Sequence, residues 1–434
     1  MGSAANRDYN QKKIGLMGPY GLGNLGDAAI QQAMISHIKT SFPDAQIFGF
    51  SLNPEDTEKR YGIPSYSIGR MARNGWIGNQ EPHGLQKLLQ QTAKAFRSHS
   101  SKIVRVLGRA LFTIPLELIS IFQAYTRLKG YSCFIVSGGG QLDDYWGGAW
   151  HHPYTLFLWG LLSKLRKAKF MFVSVGAGPL DTRAGKSFIR RALSLADYRS
   201  FRDEYSKAFI ERVGFDRNDP VYPDLAFSLD TSTLPQTARA QNDGAMVVGV
   251  GPMCYFDADL WPESDEAVYH NYLTKLALFT SWLMQRGCKI LLYVGDSGDR
   301  YTIQDFYEIL RECGTVVSDG QIIEAPMETV EDLMSQLSAV DVVVASRFHG
   351  VLLPLLINKP VLALSYHPKI DVLMEDTGQA QFCFSIDDFE VEALQQRFLQ
   401  IEQNQAAIKA EIARHVTGYK DALDEQYRKI FASL

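Results

Sequence analysis

The sequence predicts an α/β protein of two Rossmann-like domains whose parallel sheets face a cleft. Three observations predict it. Short apolar runs alternate with segments of helical period along most of the chain, the pattern of βαβ units. Nearly every apolar run empties into a Gly-rich or charged loop. A polar stretch, residues 231–244, carries Pro235 and no apolar period, and the alternation restarts beyond it. A chain of 434 residues is also long for a single core and comfortable for two domains of about 200 residues each.

The elements follow in order. Lys13–Gly18 is an apolar strand ending in glycine. Asp27–Ile38 is a helix, because Ile30, Met34 and Ile38 recur every fourth residue. Ala45–Phe50 closes the first βαβ unit. Strands at Cys133–Val136, Phe170–Val175 and Tyr198–Phe201 then run into Gly138–Gly140, Gly176–Pro179 and Arg202–Asp203. Beyond the linker come strands at 246–250, 290–294, 321–324, 342–345 and 361–364, separated by helices around 266–286, 301–312, 328–338 and 350–357. This gives a flexible N-terminus over 1–12, a first domain over 13–235 and a second over 245–390. Helices over 391–434 have the pattern to pack back on either domain.

Composition narrows the function. With 46% apolar and 21% charged residues the chain is an ordinary folded protein. Its 44 Lys and Arg against 48 Asp and Glu give a net charge of −4, which excludes a global basic field for nucleic acid. Cys133, Cys254, Cys288, Cys313 and Cys383 form no CxxC pair, so no zinc site is expected, and reduced thiols point to the cytoplasm. Residues 1–12 hold no leader-like apolar run. The longest apolar stretch, Ala110–Tyr125, is interrupted by Pro115, Glu117 and Gln123 and is shorter than the roughly 20 residues a spanning helix needs.

One segment departs from the average. Between Leu85 and Gly130, Lys87, Lys94, Arg97, Lys102, Arg105, Arg109, Arg127 and Lys129 face the single acid Glu117, a formal charge of +7. Lys102, Arg105 and Arg109 share one helical face. That face reads either as peripheral membrane contact with anionic lipids or as a solvated face packed on its own domain.

Three loops carry candidate chemistry. Gly21, Gly23 and Gly26 match GxGxxG between a strand and a helix, where free N–H groups and the helix dipole favour an anion. A dinucleotide site also wants an acid closing the second strand, and Asn53 stands there instead. A plain tight turn is the competing reading. Gly138–Gly140 costs backbone entropy, which points to close approach of a ligand or another backbone. The aromatic run Tyr145–Trp150 after it suits a sugar platform or a core equally. Ser346-Arg347-Phe348-His349-Gly350 follows the 342–345 strand. Arginine offers a planar fork for carboxylate or phosphate, and histidine moves protons near neutral pH. Lys369 and Arg202 follow other strands. With the helix N-terminus at Gly26 they would make a cationic cluster, fitted to an anion with more than one charged group.

Together these residues resemble the polysaccharide pyruvyl transferase family. The G-N-x-G-D turn is Gly23-Asn24-Leu25-Gly26-Asp27, and the GGG loop with its acid is Gly138, Gly139, Gly140 and Asp143 or Asp144. The G-x-G-P turn is Gly176–Pro179, the R-D pair is Arg202-Asp203, and the later acid is Asp224. The S-R-x-H-G loop is intact at Ser346–Gly350, and the matches run in order from about residue 13 to 370. The resemblance implies a GT-B-like architecture and no cofactor. It also implies phosphoenolpyruvate as co-substrate, donating pyruvate to two sugar hydroxyls as a cyclic ketal. Arg347, His349 and Lys369 would serve the donor, with His349 as general acid. Asp143, Asp144 or Asp224 would activate a hydroxyl. Asn24, Gly26, Asp27, Gly139, Gly140, Arg202, Ser346 and Gly350 would line the substrates. Residues 65–130 look like an insertion beyond the family core, and the acceptor would be a free or lipid-linked glycan. The alternatives are a glycosyltransferase of the same fold using a nucleotide sugar and a non-catalytic glycan-binding relative.

Overall fold

The computed structural model describes residues 11–68 and 114–434, apart from Pro19, Trp146, Thr233, 235–243, 258–260, Pro262 and Pro326. The basic helix expected around Lys102–Leu111 lies outside these residues. So do residues 1–10 and the core of the expected linker. The described chain divides into two compact units. The first comprises the chain up to Leu22, Met34–Asp224 and Tyr427–Leu434; the second comprises Gly23–Ala33 and Leu225–Gln426.

The first unit holds strands β1 (Lys13–Met17), β2 (Gln46–Ser51), β3 (Ser65–Ser67), β4 (Cys133–Ser137), β5 (Gly140–Leu142), β6 (Lys169–Ala177) and β7 (Tyr198–Phe201). They pair in parallel in the order β3-β2-β1-β4-β6-β5, with β7 also on β6. Helices α1 (Leu25–Ser41), α2 (Pro54–Tyr61), α3 (Ile114–Arg127), α4 (His152–Leu165), α5 (Arg183–Leu195) and α6 (Glu204–Arg212) connect them. The crossovers through α3, α4 and α5 all advance toward the β7 edge. Right-handed crossovers therefore place these three helices on one face of the sheet. Between the layers sits an aromatic core, in which Phe134 stacks on Trp159 at 5.2 Å and meets Phe50 edge-on at 4.7 Å.

The second unit holds β8 (Val247–Gly251), β9 (Lys289–Leu292), β10 (Ile322–Glu324), β11 (Val342–Ala345), β12 (Val361–Ser365) and β13 (Cys383–Ser385), all parallel, in the order β10-β9-β8-β11-β12-β13. Its helices are α7 (Glu266–Gln285), α8 (Arg300–Glu312), α9 (Val330–Ala339), α10 (Phe348–Leu356), α11 (Pro368–Asp376) and α12 (Val391–Ala432), the last broken at Asn404. Strand order reverses between β8 and β11. A crevice opens at the carboxyl ends of such a strand pair, the usual ligand position in open α/β sheets.

The expected boundaries near residues 235 and 245 move. Leu225, Ala226 and Phe227 are buried, and Phe227 lies 4.8 Å from Tyr419 in ring contact. This apolar triplet therefore belongs to the second core before the polar stretch begins. The tail divides as well, since Tyr427 stacks on His37 and Phe431 meets Phe42 within the first unit. Among the described residues no helix is long and apolar enough to cross a membrane.

Candidate functional site

The switch point of the second unit gathers the densest chemistry. Arg347 is the N-terminal cap residue of α10, immediately after β11. Its Nε and Nη2 donate to the two oxygens of Asp299 at 2.9 and 2.8 Å, a bidentate fork. Asp299 is 1% exposed and also accepts the Cys254 amide at 3.1 Å, at the carboxyl end of β8. Arg347 Nη2 reaches the Cys254 sulfur at 3.3 Å. Burial, then the charge of Asp299, push the Cys254 thiol up to about 12, so it stays neutral. Burial also opposes the charge on Arg347, but the Asp299 carboxylate outweighs it and holds the guanidinium above its ordinary value. The fork fixes one edge of the guanidinium. Nη1 makes no hydrogen bond to the described residues and is the edge left for a ligand.

Aromatic rings and a second cation lie around the guanidinium. The guanidinium carbon of Arg347 lies 5.8 Å from the Trp261 ring centre, and Trp261 meets Tyr366 edge-on at 5.7 Å. Lys369, in the first turn of α11, sits 5.0 Å over the Tyr366 ring, with His367 capping that helix through Nδ1 at 3.2 Å. Burial opposes ionisation of the Tyr366 phenol, but Lys369 and Arg347 outweigh it and hold the phenol below its ordinary value. Two cations that both act on one phenol suit an anionic ligand.

The glycine turn belongs here too. Asn24 caps α1 by accepting the Asp27 amide at 3.0 Å and donates to Asp296 at 2.9 Å. Leu25 N–H donates to Gly295 at 2.8 Å. A Cβ on Gly26 would fall on the imidazole of His349, in the first turn of α10. The third glycine of the motif is thus required by packing against His349. Ser346 and Gly350 support the loop: the Ser346 hydroxyl lies 3.1 Å from the buried Tyr272 hydroxyl, and Gly350 C=O accepts from Tyr293 at 3.1 Å. Asn24, Gly26, Asp27, Ser346, Arg347, His349, Gly350 and Lys369 are therefore brought together in the second unit.

Arg202, Asp143, Asp144, Gly139, Gly140 and Asp224 lie in the first unit. Arg202 is nearly buried, donates to Asp203 at 3.1 Å and stands 3.6 Å from Asp224. Its guanidinium lies over Gly176, where a Cβ would come within 2.6 Å of it. The close approach expected at the triple glycine is partly by backbone, since Gly139 C=O accepts from Gly176 at 2.7 Å. Gly140 faces open space. Asp144, one of the three acids expected as a base, has a structural task in the fold. Its carboxylate is buried and accepts the amides of Asp181 at 2.8 Å and Thr182 at 3.0 Å, together with the Thr182 hydroxyl. Those bonds hold the turn that starts α5. Asp143 is only partly buried and accepts the Tyr145 amide at 3.2 Å.

Behind the triple glycine, His152 Nε2 lies 2.9 Å from the Gln141 side-chain oxygen. Burial pushes its imidazole from 6.5 down to about 4. The folded state therefore favours neutral His152, while the unfolded chain takes up a proton below about pH 6.5. This contribution to stability is complete above that pH and is lost as the pH falls toward 4, by roughly 3 kcal/mol at most. Melting scans from pH 7 to 4 should show a steeper fall for the native chain than for His152→Gln. Equal slopes would refute it.

Sequence reasoning missed Asp299, Trp261, Cys254 and the lowering of the Tyr366 phenol by its two cationic neighbours. A signal for the first was present. Gly295-Asp296-Ser297-Gly298-Asp299 follows a strand, like the loops singled out elsewhere.

Solved structures with this fold share little sequence. A putative UDP-N-acetylglucosamine 2-epimerase from Listeria monocytogenes is 12% identical with a TM-score of 0.57, over 97% of this chain and 95% of that one. The UDP-GlcNAc 2-epimerase of Neisseria meningitidis, solved bound to UDP-GlcNAc, is 12% identical with a TM-score of 0.54, over 96% and 99%. A glycosyltransferase from Rickettsia africae is 13% identical with a TM-score of 0.54, over 97% and 99%. These likenesses carry the fold alone, which is GT-B-like with two parallel-sheet α/β domains. The sequence profile of polysaccharide pyruvyl transferases matches residues 24–368, from Asn24 of the glycine turn through the Arg347 loop to Pro368. The chain belongs to the polysaccharide pyruvyl transferase family.

Proposed function

We infer that this transferase moves pyruvate from phosphoenolpyruvate onto two hydroxyls of a sugar, forming a cyclic ketal and releasing phosphate. The observation that carries the reading is the Arg347 guanidinium, locked by Asp299 through Nε and Nη2 with no hydrogen bond to the described residues at Nη1, and grouped with Lys369 around Tyr366. Phosphoenolpyruvate presents a carboxylate and a phosphate. A preorganised fork and a separate ammonium match that pair of anions.

In this reading His349 gives a proton to the methylene carbon of the enol, creating positive charge at C2. A sugar hydroxyl forms the first C–O bond there and loses its proton. The bond from C2 to the phosphate oxygen then breaks, with Arg347 and Lys369 holding the leaving charge. The second hydroxyl closes the ring and loses its proton. Two hydroxyl protons are released in all, one replacing that delivered to carbon and one leaving with phosphate. Tyr366, whose phenol Lys369 and Arg347 hold below its ordinary value, is the candidate base in the second unit.

The test is incubation with phosphoenolpyruvate and a panel of free and lipid-linked glycosides. Phosphate release together with a ketal-bearing product by mass spectrometry is expected. Nucleotide release from a UDP- or GDP-sugar, with phosphoenolpyruvate untouched, would replace this reading by glycosyl transfer. Scattered cysteines with no CxxC pair and a phosphoenolpyruvate donor support a cytoplasmic reaction.

A further inference from the structure

The helix layer over the first sheet carries an unusual outer surface. In α3, Ile114, Leu118 and Phe122 recur every fourth residue and are exposed, Leu118 by 60% and Phe122 by 66%. In α4, Leu161 and Leu165 do the same, and Trp150 stands exposed just before the helix. These six are half of the exposed large apolar side chains among the described residues, gathered on adjoining elements of one layer. The adjoining is direct, because Arg166, after α4, donates to Tyr125 C=O of α3 at 2.7 Å. On the other side α5 packs on α4, where Phe188 meets Trp150 at 5.1 Å. Along α5, Arg183, Lys186 and Arg190 fall at i, i+3 and i+7, and the helix contains no acid. Arg183 and Arg190 are exposed.

A soluble monomer seldom gathers apolar side chains in this way without a partner. Apolar rows beside a cationic row, with an indole at the margin, match the layering of an anionic bilayer surface. We propose that the α3–α4–α5 layer is a peripheral docking face for an anionic membrane. The apolar rows enter the acyl boundary and the α5 cations lie among the headgroups. This inference does not depend on the donor chemistry.

The test uses the full chain with phosphatidylcholine vesicles, with and without phosphatidylglycerol. The chain should sediment with the anionic vesicles, stay in solution with the neutral ones, and be released by salt. The Leu118→Glu/Phe122→Glu and Arg183→Glu/Arg190→Glu variants should keep the native melting temperature and bind roughly tenfold or more weakly. Trp150→Phe should remove the indole emission shift that anionic vesicles produce. Three results would overturn the proposal. One is absence of binding at low salt. Another is binding that survives both double variants. The third is a native dimer by light scattering that Leu118→Glu/Phe122→Glu converts to monomer, which would make a second copy the occupant.

Discussion

Replacing Arg347 by alanine is expected to remove turnover and to destabilise the second unit together. The carboxylate of Asp299 is 1% exposed, and its partner guanidinium is its only charged hydrogen-bond donor among the described residues. Breaking such a pair by deleting one side leaves an uncompensated buried charge, at a cost of about 3–5 kcal/mol. Arg347→Lys separates the two effects. The ammonium restores charge beside Asp299 and so part of the stability. It cannot span both carboxylate oxygens while presenting a second edge, so kcat/KM should remain roughly 10²–10³-fold down. Asp299→Asn keeps the shape and weakens the fork, which should appear mainly in the KM for the donor. Phosphate release and melting curves for the three variants read all of this. A lysine variant within a few-fold of the native rate would refute the need for a fork.

Adding one methyl group at Gly26 should be nearly as damaging. Alanine is ordinarily the better helix residue, by about 0.5–1 kcal/mol. Here the new Cβ meets the His349 imidazole, so helix α1 or His349 must move. Turnover of Gly26→Ala should fall about 10²-fold, in line with a misplacement on the order of 1 Å. The decisive arm is a double-mutant cycle. The new Cβ would also come within 2.4 Å of the His349 Cβ, so the background is His349→Gly, in which Gly26→Ala adds little if the glycine acts through that side chain. Additive losses would mean that the glycine serves something other than His349.

The two cases mark what the sequence could and could not reveal. The alternation of apolar strands and helices was readable because each strand is a short buried run with a loop of distinctive composition at its end. Tyr198–Phe201 and Val342–Ala345 were placed to the residue. The three-residue strands Ser65–Ser67, Gly140–Leu142 and Cys383–Ser385 have no period to read and were missed, whereas Ile322–Glu324 was found. Arg347 and His349 stood out as chemistry after a strand. Asp299 did not, because its role exists only through a partner 48 residues away. For Gly26 the motif indicated a helix start near an anion. What faces a glycine is a tertiary fact, and here it is an imidazole. Asp144 shows the mirror ambiguity, since an acid holding the turn before a distant helix and an acid awaiting substrate look alike in one dimension.

The division of the chain has a practical consequence. Neither unit is one continuous stretch, because Gly23–Ala33 is taken out of the first and Tyr427–Leu434 is returned to it. A fragment cut at the polar stretch would give a first half lacking Tyr427 and Phe431, the rings that cover His37 and Phe42. The other half would lack the turn of Asn24, Leu25 and Gly26 that docks on Gly295, Asp296 and His349. Dissection into separately expressed halves should therefore fail. During synthesis, too, the first half cannot be completed until residues 427–434 have left the ribosome.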